Sequence, residues 1–334
     1  MKEFTISTPA RYVMNTVLVL MFLFIGNHIT QSGILLRSQY ALLIQIGFFI
    51  ILAVSLNLVT GYLGQLPLGH AGFMAVGAYA GALFWRAHLL PPTLSIIVGL
   101  IVAGVVAAIF GVLIGVPALR LRGDYLAIIT LGFGEIIRVM LTNLDSITYG
   151  ARGLLNIPRY SSFLIVYACV VITCTVIHML MKSRHGRAIL SIRENEIAAE
   201  SCGIKTTYYK VLAFAVSAFF AGVAGALFAG NQGLLVPSDF DFMTSINILM
   251  IVVLGGLGSM FGSVVAAAVL TFLPFMLQPL ADYRMIIYSL MLIIVMIFKP
   301  SGLLGSYEFS LSRIIEKVVN KALSLRGGAA KGGR

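Results

Sequence analysis

Stretches of nearly 20 apolar residues recur along almost the whole chain, divided by short polar or glycine-rich breaks. They fall near 12–30, 40–61, 66–85, 94–116, 124–143, 162–181, 211–231, 244–260, 263–280 and 285–299. At 1.5 Å of rise per residue, a helix of this size crosses a hydrocarbon core about 30 Å thick. Membrane-spanning strands are shorter and alternate in polarity, so helices are predicted instead. The pattern predicts an all-α integral membrane protein, a polytopic bundle of about ten transmembrane helices.

Composition supports that reading. Apolar residues make up 59% of the 334 and charged residues only 10%, against roughly 25% charged in a soluble domain. The net charge of +11 would suit a nucleic-acid binder, but the placement of the charges excludes one. With the N-terminus inside and ten spans threaded, seventeen of the 23 lysines and arginines lie at or beside inside segments. Arg37, Arg86, Arg152, Arg159 and Arg284 lie outside, and Arg138 lies within a span. This positive-inside bias puts both termini in the cytoplasm, beside anionic lipid.

Residues 1–309 form the predicted transmembrane domain, with a cytoplasmic loop at 182–210, and 310–334 a basic cytoplasmic tail whose GGAAKGGR end is expected to be disordered. The first apolar stretch lacks a small-residue cleavage site and is read as a retained helix. Cys169, Cys174 and Cys202 offer no disulfide framework.

Most enzyme classes are excluded by absence. There is no phosphate-binding G-x-x-x-x-G-K-[ST] loop, no H-E-x-x-H, and no metal-ligand spacing among the five histidines. No catalytic residue or metal site is predicted. Two glycine-rich breaks carry more weight. In GYLGQLPLGHAGF, Gly64, Gln65, Pro67, Gly69 and His70 combine flexible backbone, a missing amide donor and polar side chains. The segment reads either as a broken or re-entrant helix on a translocation path or as a tight cytoplasmic turn. In GGLGSMFG, Gly255, Gly256 and Gly258 mark a helix break or close packing through small residues.

Two further features stand out. Glu135 and Arg138 lie three residues apart inside a span, a spacing that lets them pair on one helix face. The loop KSRHGRAILSIRENEIAAESCGIKTTYYK intersperses Ala188, Ile189, Ile192, Ile197, Ala198 and Ile204 with charge. It predicts two short amphipathic surface helices joined near Glu194 and Asn195, with Ala198, Ala199 and Gly203 small enough for a partner to approach.

This loop resembles the coupling-loop region of bacterial ABC importer permeases, and most closely branched-chain amino-acid permeases of the LivM type. SLNLVTGYLGQLPLGHAGFMAVGAYAGAL, RGDYLAIITLGFGEIIR, VLGGLGSMFGSVVAA and FKPSGLLG fit the same family in the same order. The resemblance implies that Ala198, Ala199 and Gly203 match the A-A-x-x-x-G of a helix that docks on an ATPase. Glu196 stands one residue before the usual glutamate, and Arg187 and Arg193 join the coupling set. Pro67 replaces a serine common in relatives.

It also implies an ATP-driven importer of leucine, isoleucine and valine in the bacterial cytoplasmic (inner) membrane, working by alternating access. The implied partners are a second homologous permease, two ABC ATPase subunits, and a periplasmic or surface-anchored amino-acid-binding protein. ATP and magnesium would bind the ATPases, so no cofactor is expected here. The alternatives are an importer of urea, short amides or another small polar solute, a stand-alone secondary transporter or channel, and a membrane-embedded enzyme.

Overall fold

A computed structural model describes residues 8–33, 35–119, 121, 123–278, 283–299 and 302, so the tail 310–334 lies outside the described residues. The helices are α1 (Thr8–Gln31), α2 (Arg37–Asn57), α3 (His70–Arg86), α4 (Pro92–Ala118), α5 (Asp124–Asn143), α6 (Asp145–Thr148), α7 (Phe163–Lys182), α8 (Arg184–Glu194), α9 (Glu196–Ser201), α10 (Thr206–Gln232), α11 (Phe242–Gly255), α12 (Met260–Met276) and α13 (Arg284–Phe298). One isolated antiparallel bridge joins Leu154 to Leu235.

Each of the ten apolar stretches falls mainly on one helix, α1 to α5, α7, or α10 to α13. Five are long and apolar enough to cross a membrane: α2 with its final turn to Tyr62, α4, α5, α7 and α10. Val17–Gln31, α11 and α12 are shorter apolar helices. Contacts divide the chain into two units, with α1 in one and residues Leu35–Tyr307 forming the other. The second unit holds the core and the sites below.

Three boundaries differ from the hydropathy pattern. The stretch 66–85 becomes helical only at His70, after an irregular segment through Pro67, which lacks an amide donor. The stretch 244–260 stops at Gly255, because Gly256 (φ 108°) and Gly258 (φ 83°) take positive angles that end a helix. The stretch 211–231 extends back to Thr206, which draws Lys210 into the first turns of α10.

The core is built where α10 lies against α3 and α4. Lipid tails are as apolar as leucine, so helix association in a membrane depends on close packing. Small residues allow it: Ala75, Ala78, Ala82, Ala103, Ala107, Ala221 and Ala224 are fully buried. A Cβ at Gly77 would collide with the backbone of Gly222, so the two helices touch there. Trp85 closes one end of the interface, donating through Nε1 to the Ser95 carbonyl (2.9 Å) and meeting Tyr160 edge to face.

The opposite side of α4 exposes Leu94, Ile97, Ile101, Val105, Ile109, Leu113 and Val116. Steps of three and four place them on one helix face. In water such a stripe would be an aggregation hazard; against lipid tails it is matched.

Candidate functional site at the coupling loop and the glycine breaks

The loop between α7 and α10 folds as the two predicted helices. Ser183 caps α8, its Oγ accepting from the amides of His185 (3.2 Å) and Gly186 (3.4 Å). Gly186, Ala188, Ile189 and Ile192 form the buried face. Asn195, extended at φ −160° and ψ 109°, ends α8 and caps α9 by accepting from the Ala198 amide at 3.0 Å. Gly203 (φ 83°) then ends α9, its amide donating to the Glu200 carbonyl and that of Ile204 to the Ala199 carbonyl. Nothing lies within 4 Å of a Cβ added at Gly203, so its left-handed angle accounts for the glycine.

The loop is fastened to α10 at two points. The Glu196 carboxylate meets Lys210 Nζ at 2.7 Å, with Lys210 only 3% and Glu196 22% exposed. Thr206 Oγ1 donates to Glu200 Oε1 at 2.6 Å. Glu196 therefore turns inward onto its own chain. Ala199 also turns inward and is 4% exposed, so the close approach predicted for it is made by the chain's own core. Ile197, 66% exposed, and Ala198 face outward instead. Beside them Gly203, Ile204, Lys205, Tyr208 and Tyr209 line an open cleft of about 450 Å³.

The first glycine break begins with a π-turn over Leu58–Tyr62, where the Leu63 amide reaches back five residues to the Leu58 carbonyl (3.2 Å). Such a turn interrupts the regular ladder and frees carbonyls. One is taken by the loop, since Arg193 Nη1 donates to the Gly61 carbonyl at 2.6 Å. The chain then runs irregularly from Leu63 to Gly69. The Leu68 amide donates to Thr130 Oγ1 (2.9 Å), and a Cβ at Gly69 would strike the Thr130 carbonyl. Pro67 is buried, and Gln65 Oε1 is buried without a hydrogen-bond partner.

Helix α3 starts beside the interior of the bundle. The Ala71 amide donates to Ser245 Oγ of α11 (3.1 Å), and buried His70 pairs through Nε2 with Ser55 Oγ of α2 (3.1 Å). Ser55 lies seven residues before the end of the π-turn, so the connection doubles back alongside α2. That is a longer excursion than a tight turn.

The second break joins the first through Asn57, which is fully buried. Its Nδ2 donates to the Ser259 carbonyl (3.0 Å) and Ser263 Oγ (2.9 Å), while its Oδ1 accepts from the Gly258 amide (2.9 Å). Ser259 Oγ caps α12 by accepting from Gly262, and Gly255 packs directly on Gly262. A Cβ at Gly258 would stand 3.1 Å from Arg193 Nη1, and one at Gly64 3.0 Å from Arg193 Cγ. Gly64, Gly258 and Arg193, singled out separately in the sequence, thus share one site. Asn57 was missed; the signal for it was an amide side chain, one of two with Gln45, in a largely apolar membrane-length run.

The remaining predicted residues stand apart. Arg187 is exposed on α8. Arg138 Nε and Nη2 both contact Glu135 Oε2, at 2.8 and 2.7 Å, and each side chain remains about one-third exposed on α5 (35% and 33%). Among the described residues no cluster of three or more histidine, cysteine, aspartate or glutamate side chains is placed to hold a metal ion.

Residues 39–296 match the family described as the branched-chain amino acid transport system, permease component. The chain belongs to this permease family. It is 38% identical over 318 residues to the high-affinity branched-chain amino acid transport system permease protein LivM of Escherichia coli K12, covering 85% of this chain and 71% of that one. It is 25% identical over 301 residues to the LivH permease of Salmonella typhimurium, covering 83% and 94%. It is also 25% identical to a probable LivM of Methanocaldococcus jannaschii, covering 79% and 92%. No solved structure matches. Family membership assigns the chain a transport role rather than catalysis.

Proposed function

We propose that this chain is one of two related permease subunits of an ATP-driven importer that moves leucine, isoleucine and valine across the bacterial cytoplasmic membrane. The observation that carries this reading is the family match over residues 39–296 together with 38% identity to a LivM permease. Similarity to both LivM and LivH relatives supports a pair of homologous permeases. The ATPases and an amino-acid-binding protein complete the assembly, with ATP and magnesium held on the ATPases. Ten crossings with both termini cytoplasmic accord with the ten apolar stretches of the sequence and its positive-inside bias.

In this reading the ATPase docks on the α8–α9 loop, over Ile197, Ala198 and the adjoining cleft. Closure of the ATPases on ATP moves the loop, and the permease pair switches from inward-open to outward-open. Substrate passes between the two permeases. The Glu135–Arg138 pair supports an unlipidated face there, since charges one-third exposed on α5 are costly against hydrocarbon.

Ile197→Arg and Ala198→Arg in the assembled complex test the docking surface. The expected result is loss of ATPase subunits on purification, with the permease pair still intact. Unchanged recovery of the ATPases and unchanged uptake would overturn it.

A further inference from the structure

Arg193 occupies a position that the docking role leaves unexplained. It is the penultimate residue of α8, and its side chain is exposed on one side while Nη1 turns inward to the Gly61 carbonyl at 2.6 Å. Three glycines surround it. A Cβ at Gly64 or Gly258 would press on its side chain, at 3.0 and 3.1 Å, and one at Gly61 would run into the Gly258 backbone. Gly61 and Gly64 belong to the break after α2, and Gly258 to the break after α11. Two separate parts of the chain therefore meet on one arginine side chain.

The chemistry suits the place. The last carbonyls of a helix have no intrahelical donors and carry partial negative charge. The π-turn removes the donor that would have served Gly61. A guanidinium at the ends of α2 and α11 satisfies the free carbonyl through a charge-assisted bond. Its planar fork and long stem reach both breaks, which a shorter side chain would not.

We propose that Arg193 is a positioning residue that pins the coupling loop to both glycine breaks, so that movement of α8–α9 is passed directly to the ends of α2 and α11. The inference rests on the importer reading above, because it assigns the loop's movement to ATPase closure. It adds where that movement enters the bundle: at two glycine-rich joints already locked together by Asn57.

The test uses the whole complex in vesicles, with wild type, Arg193→Met and Arg193→Lys compared. Methionine keeps the stem and removes the donor; lysine restores charge without the fork. For Arg193→Met the ATPases should still co-purify and binding-protein-stimulated hydrolysis should stay within about twofold, while substrate moved per ATP falls about tenfold, as expected for one charge-assisted bond. Arg193→Lys should recover part of that loss. Hydrogen–deuterium exchange should show residues 61–64 and 256–259 losing protection together in Arg193→Met. Unchanged transport per ATP, or protection lost in neither break, overturns the pin while leaving the importer reading intact. Loss of the ATPases from Arg193→Met would also overturn it, by making Arg193 a docking residue. Absence of ATP-driven uptake by the wild-type complex instead removes the importer reading, and the exchange experiment then decides whether Arg193 joins the breaks at all.

Discussion

The Glu196–Lys210 pair offers a test that separates a structural fastener from a surface charge. Lys210 Nζ and Glu196 Oε1 are 2.7 Å apart, with 3% and 22% of their side chains exposed. At an effective dielectric near 20, such a pair attracts by about 4 kcal/mol. Removing one partner of a buried pair costs about 3–5 kcal/mol, because the other charge is left in a poor solvent. The two ends are not equivalent. Glu196→Gln strands an ammonium that water cannot reach, and about 3 kcal/mol should be lost. Lys210→Met leaves a carboxylate that water already touches and adds apolar packing, so about 0–1 kcal/mol is expected. At about 2 °C per kcal/mol, Glu196→Gln should lower the apparent melting temperature in detergent by roughly 6 °C and Lys210→Met by no more than about 2 °C. The double variant should resemble Lys210→Met, since its buried charge is gone. Equal losses in the two single variants, or no loss in Glu196→Gln, would refute the assignment of burial to the lysine end.

Two other outcomes follow from the site geometry. Asn57→Leu keeps volume but removes three hydrogen bonds to Gly258, Ser259 and Ser263; at about 0.6–2 kcal/mol each in a membrane, it should cost about 2–6 kcal/mol and raise exchange at 256–259, checked by melting and deuterium uptake. Asp239, between α10 and α11, has its carboxyl raised above the usual range, first by burial and then by the charge of Asp241, against an opposing bond from the Val236 amide. A raised folded value means its contribution is full below the unfolded value of about 3.9 and is lost as pH rises through the folded one. The melting temperature of wild type relative to Asp239→Asn should therefore fall as pH rises above about 4; a constant difference would contradict the shift.

Hydropathy located the long apolar helices because a sustained apolar run is visible in the sequence without any tertiary information. It misplaced the start of α3 because apolar residues continue through Leu66 and Leu68 although Pro67 and Gly69 interrupt the helix. The inner and outer sides of α9 were not legible. Asn195 breaks the helix and restarts its phase, so Ala199 rather than Ile197 turns inward. Lys210 read as a loop charge, whereas α10 begins early enough to bury it against a glutamate fourteen residues before it. The meeting of Gly61, Gly258 and Arg193 was equally hidden, since 132 residues separate Gly61 from its donor and no periodicity links them.

ATP-driven uptake tests the central claim most directly. Vesicles holding this chain, its companion permease, two ATPase subunits and the binding protein would be given labelled leucine, isoleucine and valine. The account predicts uptake that requires ATP and ceases when this chain is left out. Uptake by this chain alone, with no ATPase present, would contradict it.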